Sequence, residues 1–396
     1  MLLSNFGREY LLLGLRLNKL IDGYVDAYYG PLELKKIVDN ENNKSPKSLL
    51  KSCRTLKKKL VYQGFTEDRV KFLEKMLDAM ETSLEILNGK EMPFLEQVFR
   101  TYDIKPKLIE DSVFYKVKED LDTLYEGSGD LVDRIKEAKQ KQELPNDKIE
   151  GTFIRALEIS REKTNEIFPD LLPKDEELTI KVVKNEPWSA YNWYLGNHKS
   201  RIDVNIDLPI EWTNFLKLAT HEGYPGHHTE HAIKEKKLYQ EENSFEHAIL
   251  LIPTPEAVIA EGIGNTGIDV LFSTREKLSI SLEKLCPNAQ DEDLELFFFR
   301  DQAWNKLSGF SNNVAIHAHV DGWSDDQLID YVSSFGFYTK KYIQQQLKFI
   351  RHPLWSTYVF TYFIGESLIK KKFGSRPSPK DFETLLTRPI LPSDLY

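Results

Sequence analysis

The chain contains 396 residues, of which 41% are hydrophobic and 29% are charged, a composition typical of folded globular proteins. Its 53 lysines and arginines against 62 aspartates and glutamates give a net charge of −9, which argues against a surface for nucleic acid or anionic membranes. The length is sufficient for one large domain or two ordinary ones.

The cysteines and the N-terminal residues indicate the cellular compartment. Cys53 and Cys286 are far apart and belong to no CxxC pattern, which argues against both a disulfide framework and a cysteine-based zinc site. Arg8 and Glu9 interrupt the first apolar residues, so we expect no secretory signal there. No segment reaches the roughly 18 apolar residues of a membrane helix. We therefore expect a cytoplasmic protein.

The first 170 residues are predicted to be mostly helical. Apolar residues recur at intervals of three and four in residues 49–63, 68–87 and 129–144. Thr66 and the Ser45-Pro46 pair are suitable residues to begin two of these helices. We expect a helical N-terminal region, 1–170, and a second region, 171–396, that together form one continuous structural unit.

A small sheet is predicted at residues 176–208. The segments ELTIKVVKNE and SRIDVNIDLP are short and rich in β-branched residues, and an aromatic segment with a Gly-Asn turn lies between them. Helical periodicity returns after Pro209. The predicted fold is mainly α, with this small antiparallel β-sheet beside the helix that carries the candidate site.

That helix contains the most unusual segment of the chain. Four of the nine histidines lie within residues 221–231, in the sequence HEGYPGHHTEH. Zinc hydrolases commonly bind the metal through the two histidines of H-E-x-x-H, and the glutamate acts on a water molecule. Here His227 follows His221 by six residues, which on a regular helix means about 9 Å of rise. Gly223, Pro225 and Gly226 could correct this, either by a local bulge or by ending one helix and beginning another.

Two other interpretations of this segment remain open. His227, Glu230 and His231 form a literal H-x-x-E-H, an inverted zinc motif whose histidines already have the correct spacing for one helix face. The segment could also be a polar helix face without a metal.

A third metal ligand is expected from a later helix. Thr254-Pro255 begins an apolar segment that carries Glu261, and a carboxylate on an apolar face needs a partner such as a metal ion. An exposed glutamate on an amphipathic helix would be the simpler explanation. Glu256 is a competing ligand, although an acid in the first helical turn needs no further explanation.

Two downstream segments contain further candidates. His317 and Tyr362 are residue types that can donate a hydrogen bond to an oxyanion, and Arg351 could bind a substrate carboxylate. Taken singly, each of these residue types more often has a structural role.

In combination, these segments resemble the domain of unknown function 885 family, which is identified with predicted zinc peptidases of the gluzincin-like superfamily. The resemblance covers roughly residues 180–370, and a further block lies near the N-terminus. The matching blocks are HEGYPGH, AEGIGNTGID, IHAHVDGWS, RHPLWSTYVFTYFIG, YNWYLGNHKSRIDVN and DGYVDAYYGP.

The resemblance implies a large helical metallopeptidase-like fold with one zinc ion. It implies His221 and His227 as zinc ligands, Glu261 as the third ligand and Glu222 as the general base. Glu230 stands where family members usually carry glutamine or a similar residue, so the resemblance favours this site over the inverted one.

The resemblance also implies roles outside the metal ligands. His317, Arg351 and Tyr362 would be substrate or transition-state groups. From the residues themselves, SRIDVNIDL could be an edge strand that aligns a peptide, with Asn205 contacting the substrate backbone. The aromatic residues before it, including Tyr191 and Tyr194, would line the cleft or pack beneath it.

The resulting expectation is a zinc-dependent peptidase or carboxypeptidase with a peptide substrate and no nucleic-acid or membrane partner. Three alternatives remain: a catalytically silent metal-binding helical protein, a zinc hydrolase of a non-peptide amide or ester, and a metal-free interaction module.

Overall fold

The computed structural model describes residues 3–186, 188–286, 293–353 and 356–396, and the fold is mainly α-helical, as predicted. The helices that precede the sheet are α1 Asn5–Asn18, α2 Leu32–Asn40, α3 Pro46–Leu60, α4 Glu67–Leu87, α5 Phe94–Tyr102, α6 Asp111–Leu124, α7 Leu131–Gln142 and α8 Asn146–Ile167. The helices that follow the sheet are α9 Phe215–Glu222, α10 His227–Lys234, α11 Pro255–Leu271, α12 Thr274–Ile280, α13 Leu294–Asn305, α14 Phe310–His319, α15 Asp325–Phe335, α16 Lys340–Ile350, α17 Val359–Phe373 and α18 Pro379–Thr387.

Local sequence signals explain several of these boundaries. The side chains of Ser45 and Thr66 accept hydrogen bonds from backbone N–H groups in the first turns of α3 and α4, as the sequence predicts. Pro255 occupies the first turn of α11, directly after Thr254. Within the described residues, no helix combines the length and the apolar character that a membrane crossing requires.

The three-stranded sheet is mixed, so the prediction of an antiparallel sheet is wrong. Its strands are β2 Glu177–Val183, β3 Ala190–Gly196 and β4 Lys199–Asn205, in the order β2-β4-β3. The aromatic segment forms β3, which is joined to β4 by a two-residue turn at Asn197 and His198, both with positive φ. Strand β4 lies in the centre, and its other edge pairs with β2 in parallel orientation.

A second sheet was not predicted from the sequence. It pairs β1 Val25–Tyr28 with β5 Ile249–Leu251 in antiparallel orientation. Both strands are too short to produce a clear alternation, and their partner lies far away in the chain. This pairing fixes the N-terminal region against the segment that follows α10.

The buried apolar side chains form two main clusters. The larger cluster combines residues of α5 to α8 with residues of the sheet and of most later helices. The smaller cluster holds α1 to α4 together with Phe245, Ile249 and Leu391. Residues from both sides of position 170 therefore contribute to each core.

Helices α11 and α17 approach each other closely at a pair of glycines. A Cβ atom on Gly365 would overlap the carbonyl oxygen of Val258, and one on Gly262 would lie 2.8 Å from the carbonyl carbon of Gly365. Since Glu261 directly precedes Gly262, this contact fixes the distance between Glu261 and the first turn of α17.

We expect Gly365→Ala to lower the free energy of unfolding by about 1–3 kcal/mol, because the added methyl group forces the two helices apart. Gly151→Ala is a suitable control: Gly151 lies in α8 with nothing within 4 Å of the added atom, so this change should stabilise by up to about 1 kcal/mol. Urea denaturation measures both. Equal stability of Gly365→Ala and wild type would contradict the packing argument.

Candidate metal centre

His221 and His227 meet because the helix between them ends and a new one begins. Helix α9 ends at Glu222 and α10 begins at His227, which is the second of the two local structures considered from the sequence. The Nε2 atoms of the two histidines lie 3.2 Å apart, and their rings are nearly perpendicular at 87°.

The turn between α9 and α10 depends on Gly226. Its backbone N–H donates to the carbonyl oxygen of Thr220 at 2.9 Å, which folds the chain back over the end of α9. A Cβ atom on Gly226 would overlap the carbonyl oxygen of His221. Only glycine fits at this position without a shift of the backbone that carries both imidazoles.

Glu261 of α11 completes a group of three potential ligands. Its Oε2 atom lies 3.4 Å from Nε2 of His221, and one ligand atom from each of the three residues falls within 4.8 Å of the others. Tetrahedral zinc with bond lengths near 2.0–2.1 Å separates its ligand atoms by about 3.3 Å, which agrees with the two measured distances. The three residues therefore form a possible metal site.

The hydrogen bonding of these side chains also fits a metal ligand set. The Oε2 atom of Glu261 is buried and has no hydrogen-bond partner among the described residues. Its Oε1 atom accepts a hydrogen bond from the Tyr358 hydroxyl at 2.6 Å. Tyr358 thus orients the carboxylate and leaves the oxygen that faces the histidines available.

Helix α11 can approach His221 because position 264 is glycine. A Cβ atom on Gly264 would lie 2.7 Å from Nδ1 of His221. The glycines of EGIGNTG therefore serve two contacts, with α17 through Gly262 and with the histidine through Gly264. The spacing of these glycines is visible in the sequence, but the sequence does not indicate which residue each glycine contacts.

The protonation of His227 and Glu261 suits cation binding. The pKa of His221 is shifted the other way: burial alone would lower it, but Glu261 and Glu222 raise it, so a metal ion would have to displace a proton from this imidazole. Burial and the neighbouring charge of His221 lower the pKa of His227 to about 4, so this imidazole is neutral near pH 7. Burial alone would raise the pKa of Glu261, but the nearby imidazoles of His221 and His227 and the hydrogen bond from Tyr358 keep it below its usual value. A neutral imidazole and an ionised carboxylate are the forms that bind a metal.

Glu222 is a buried carboxylate beside this group. Its side chain is 7% exposed, and the side-chain amide of Asn192 on β3 donates to its carbonyl oxygen at 2.6 Å. Burial raises the pKa of Glu222 to about 7, and the charge of Glu261 adds to this effect while His221 opposes it. A carboxyl group with a pKa near neutrality can both accept and release a proton.

Glu230 of the inverted motif and Glu256, the competing ligand, belong to a separate buried ion cluster. Glu230 accepts a hydrogen bond from Lys234 at 2.6 Å, and Glu256 lies 3.7 Å from Lys234 and 3.6 Å from His247. His231 stacks beside His227 with ring centroids 6.0 Å apart, but it is outside the ligand group found among the described residues. The inverted motif is therefore not assembled around these two histidines.

His228 has a structural role that was not recognised in the sequence. Its two ring nitrogens are hydrogen-bonded to Ser200 at 2.8 Å and to Glu176 at 2.9 Å. Glu176 also accepts hydrogen bonds from Tyr224 and Arg161. These contacts anchor the start of α10 to the sheet and so fix the position of the adjacent His227.

Two of the predicted substrate or catalytic tyrosines lie close to the centre. Tyr362 is 39% exposed, and its ring packs 5.5 Å from that of Tyr358. Burial and the charges of Glu261 and Glu222 raise the pKa of Tyr362 well above its usual value, so the hydroxyl remains a donor. The hydroxyl of Tyr191 donates to Asp26 of β1, an acidic residue near the centre that was not singled out in the sequence.

Asn205 and Tyr194 are buried supports rather than exposed substrate contacts. The amide of Asn205 donates to the carbonyl oxygens of Glu186 and Trp188, and its side-chain oxygen accepts from the N–H of Asp207. The hydroxyl of buried Tyr194 donates to Glu235. The proposal that the SRIDVNIDL strand aligns a peptide is wrong, because this strand, β4, is central and paired on both edges.

The structure does not bring His317 and Arg351 into contact with the three ligand residues. The His317 ring stacks on Trp323 at 4.0 Å and its Nδ1 atom lies 2.6 Å from Asp321. The Arg351 guanidinium donates to the carbonyl oxygens of Ala318 and Trp323 and pairs with Asp325. Among the described residues, these contacts join the end of α14 to the start of α15.

Comparisons with known proteins show a shared fold. No family model matches the chain, and no curated protein sequence is similar to it. A solved structure of a presumed lipoprotein from Colwellia psychrerythraea aligns with a TM-score of 0.51 at 14% identity, and the alignment covers 93% of this chain and 69% of that chain. At this identity the likeness concerns the architecture and carries no information about chemistry.

We expect Glu176→Gln to reduce stability in a pH-dependent manner. Burial alone would raise the pKa of Glu176, but hydrogen bonds with His228 and Tyr224 and the nearby Arg161 lower it from 4.5 to about 2. A depressed pKa contributes stability above pH 4.5, which is lost as the pH falls toward 2. Wild type should therefore exceed the variant by at most about 3 kcal/mol near pH 7, with the difference shrinking in acid.

Urea denaturation at several pH values measures this difference. Glu177→Gln is the matched control, because its carboxylate is 54% exposed and pairs with a surface lysine. A difference between wild type and Glu176→Gln that did not change between pH 7 and pH 3 would argue against an ionised Glu176 in the folded protein.

Proposed function

We propose that the protein is a zinc-dependent hydrolase, and specifically a peptidase, with His221, His227 and Glu261 as the metal ligands. The observation that carries this proposal is the convergence of three ligand atoms within 4.8 Å beside the buried carboxylate of Glu222. Two imidazoles and one carboxylate are a ligand set that suits zinc and leaves one position for substrate or water.

When bound, zinc would supply a Lewis acid that acidifies water and polarises a carbonyl group. Glu222 acts as the general base, because its carboxylate lies next to the ligand group and has a pKa of about 7. It accepts a proton from the attacking water and transfers it to the leaving amine. Tyr362 donates a hydrogen bond to the developing oxyanion from the exposed side of the centre.

The order of the strands in the sheet supports a particular location for a peptide substrate. Strand β3 is an edge strand, and its residue Asn192 donates to the carbonyl oxygen of Glu222. An extended peptide that entered the centre would therefore run beside β3 rather than β4. The N-terminal region adds the Tyr191–Asp26 pair to the same neighbourhood.

We expect the purified chain to bind one zinc ion, measured by calorimetry and elemental analysis. His221→Ala and Glu261→Gln should each lower zinc affinity more than about 100-fold, because each removes a ligand. His231→Ala is the matched control and should retain the metal, since His231 lies outside the ligand group. Loss of zinc from His231→Ala together with its retention by His221→Ala would support the inverted motif instead.

Glu222→Gln should retain zinc but lose turnover of a peptide library by about 10²–10⁴-fold, because the substitution keeps the shape and removes the base. Cleavage is followed by mass spectrometry, and zinc content is measured in the same preparation. Equal cleavage by the variant and wild type would disprove the mechanism. A wild type that binds zinc but cleaves neither peptides nor other amides and esters would identify a non-catalytic metal-binding protein.

A further inference from the structure

An apolar cavity of about 310 Å³ lies between α14, α15, α16 and α17. We name it the aromatic pocket. Its walls include Phe310 and Val314 of α14, Val332 of α15, Leu347 of α16, and Val359 and Tyr362 of α17. None of the described residues that line it carries a formal charge. Its polar atoms come from hydroxyl groups, backbone and the amide of Gln346.

Tyr362 connects this pocket to the candidate metal centre. The same ring that lines the pocket packs 5.5 Å from Tyr358, and the Tyr358 hydroxyl bonds Glu261 at 2.6 Å. Tyr362 is also 39% exposed, and Glu261 and Glu222 are close enough to raise the pKa of its hydroxyl, so this one side chain lies beside the ligand group and lines the pocket. A substrate held at the centre would reach the pocket with an adjacent side chain.

We propose that the aromatic pocket is the specificity subsite of this centre and that it binds a large apolar or aromatic side chain of the substrate. The role of the pocket as a substrate subsite rests on the proposed function. The binding of an apolar side chain in the pocket can be tested separately. The volume lies near the lower end of the range for ligand pockets, about 300–1,000 Å³, as suits one side chain rather than a whole ligand.

The chemistry of the walls selects among side chains. A charged side chain would lose its hydration here without gaining an ionic partner from the described lining residues, whereas an apolar one gains from burial. An aromatic ring can additionally pack against the stacked pair Tyr338 and Tyr342, whose centroids lie 4.8 Å apart. A small side chain such as alanine would leave most of the cavity unfilled.

A binding experiment with the purified chain, without added metal, tests the pocket directly. The probes are N-acetylphenylalaninamide, N-acetylalaninamide and N-acetyllysinamide, observed by ligand-detected NMR titration. We expect the phenylalanine probe to bind at least about tenfold more tightly than the other two. Equal affinities of the three probes would overturn the proposal.

Two neighbouring glutamines on α16 provide a matched pair of variants. Gln346 lines the pocket, whereas Gln345 is exposed and does not line it. Gln346→Trp should fill the entrance and weaken binding of the phenylalanine probe about tenfold or more, while Gln345→Trp should leave it unchanged. Since both side chains are exposed, neither change is expected to prevent folding. Equal binding by both variants would locate the probe elsewhere and refute the assignment.

The role of the aromatic pocket as a substrate subsite is tested with peptides that differ at one position. If peptides are cleaved, kcat/KM should favour phenylalanine, leucine or tyrosine over alanine, lysine and aspartate at one subsite, and Gln346→Trp should abolish that preference. A preference that Gln346→Trp leaves intact would refute the subsite. If the probes bind in the predicted order but the protein cleaves no peptide, the result would support the pocket as a binding site and refute the proposed peptidase function.

Discussion

Two imidazoles six residues apart in the chain can face one another only where the helix between them is interrupted, because a continuous helix would separate them by about 9 Å along its axis. Here α9 stops at Glu222 and α10 starts at His227, and the backbone of Gly226 folds directly against the carbonyl oxygen of His221. The 3.2 Å separation of the two Nε2 atoms follows from this turn. Every other feature of the candidate centre is arranged around it.

The turn is held from outside by groups that are not ligands. His228 joins α10 to the sheet through Ser200 and Glu176, while Glu230 and Lys234 of the same helix form a buried ion cluster with Glu256 of α11. Unpaired, such groups would cost several kcal/mol each, so their mutual pairing is a requirement of the fold. Three neighbouring polar residues, His227, His228 and Glu230, therefore have three different roles because they point in different directions from one short helix.

The helix that carries Glu261 connects the centre with the rest of the cleft. Glycines at 262 and 264 allow α11 to lie close to α17 on one side and to His221 on another. Tyr358, which directly precedes α17, orients Glu261, and Tyr362 in the first turn of α17 lines the aromatic pocket. The same packing contact thus determines the position of the third ligand and the position of the neighbouring cavity.

Short-range sequence signals determined the helical character of the chain and the caps at Ser45 and Thr66, because helix periodicity and capping act over a few residues. For the metal site, the residues alone left open which pair of histidines and which glutamate would be the ligands. The pairing of β1 with β5 and the central place of β4 were decided only by the tertiary structure, since strand partners are set by contacts between distant segments. Asn205, His317 and Arg351 have residue types that are compatible with substrate binding, but in the folded chain a carbonyl oxygen, an indole ring and a carboxylate, respectively, contact their side chains. Sequence alone identified which groups could hold a metal, and only the folded chain determined which of them converge.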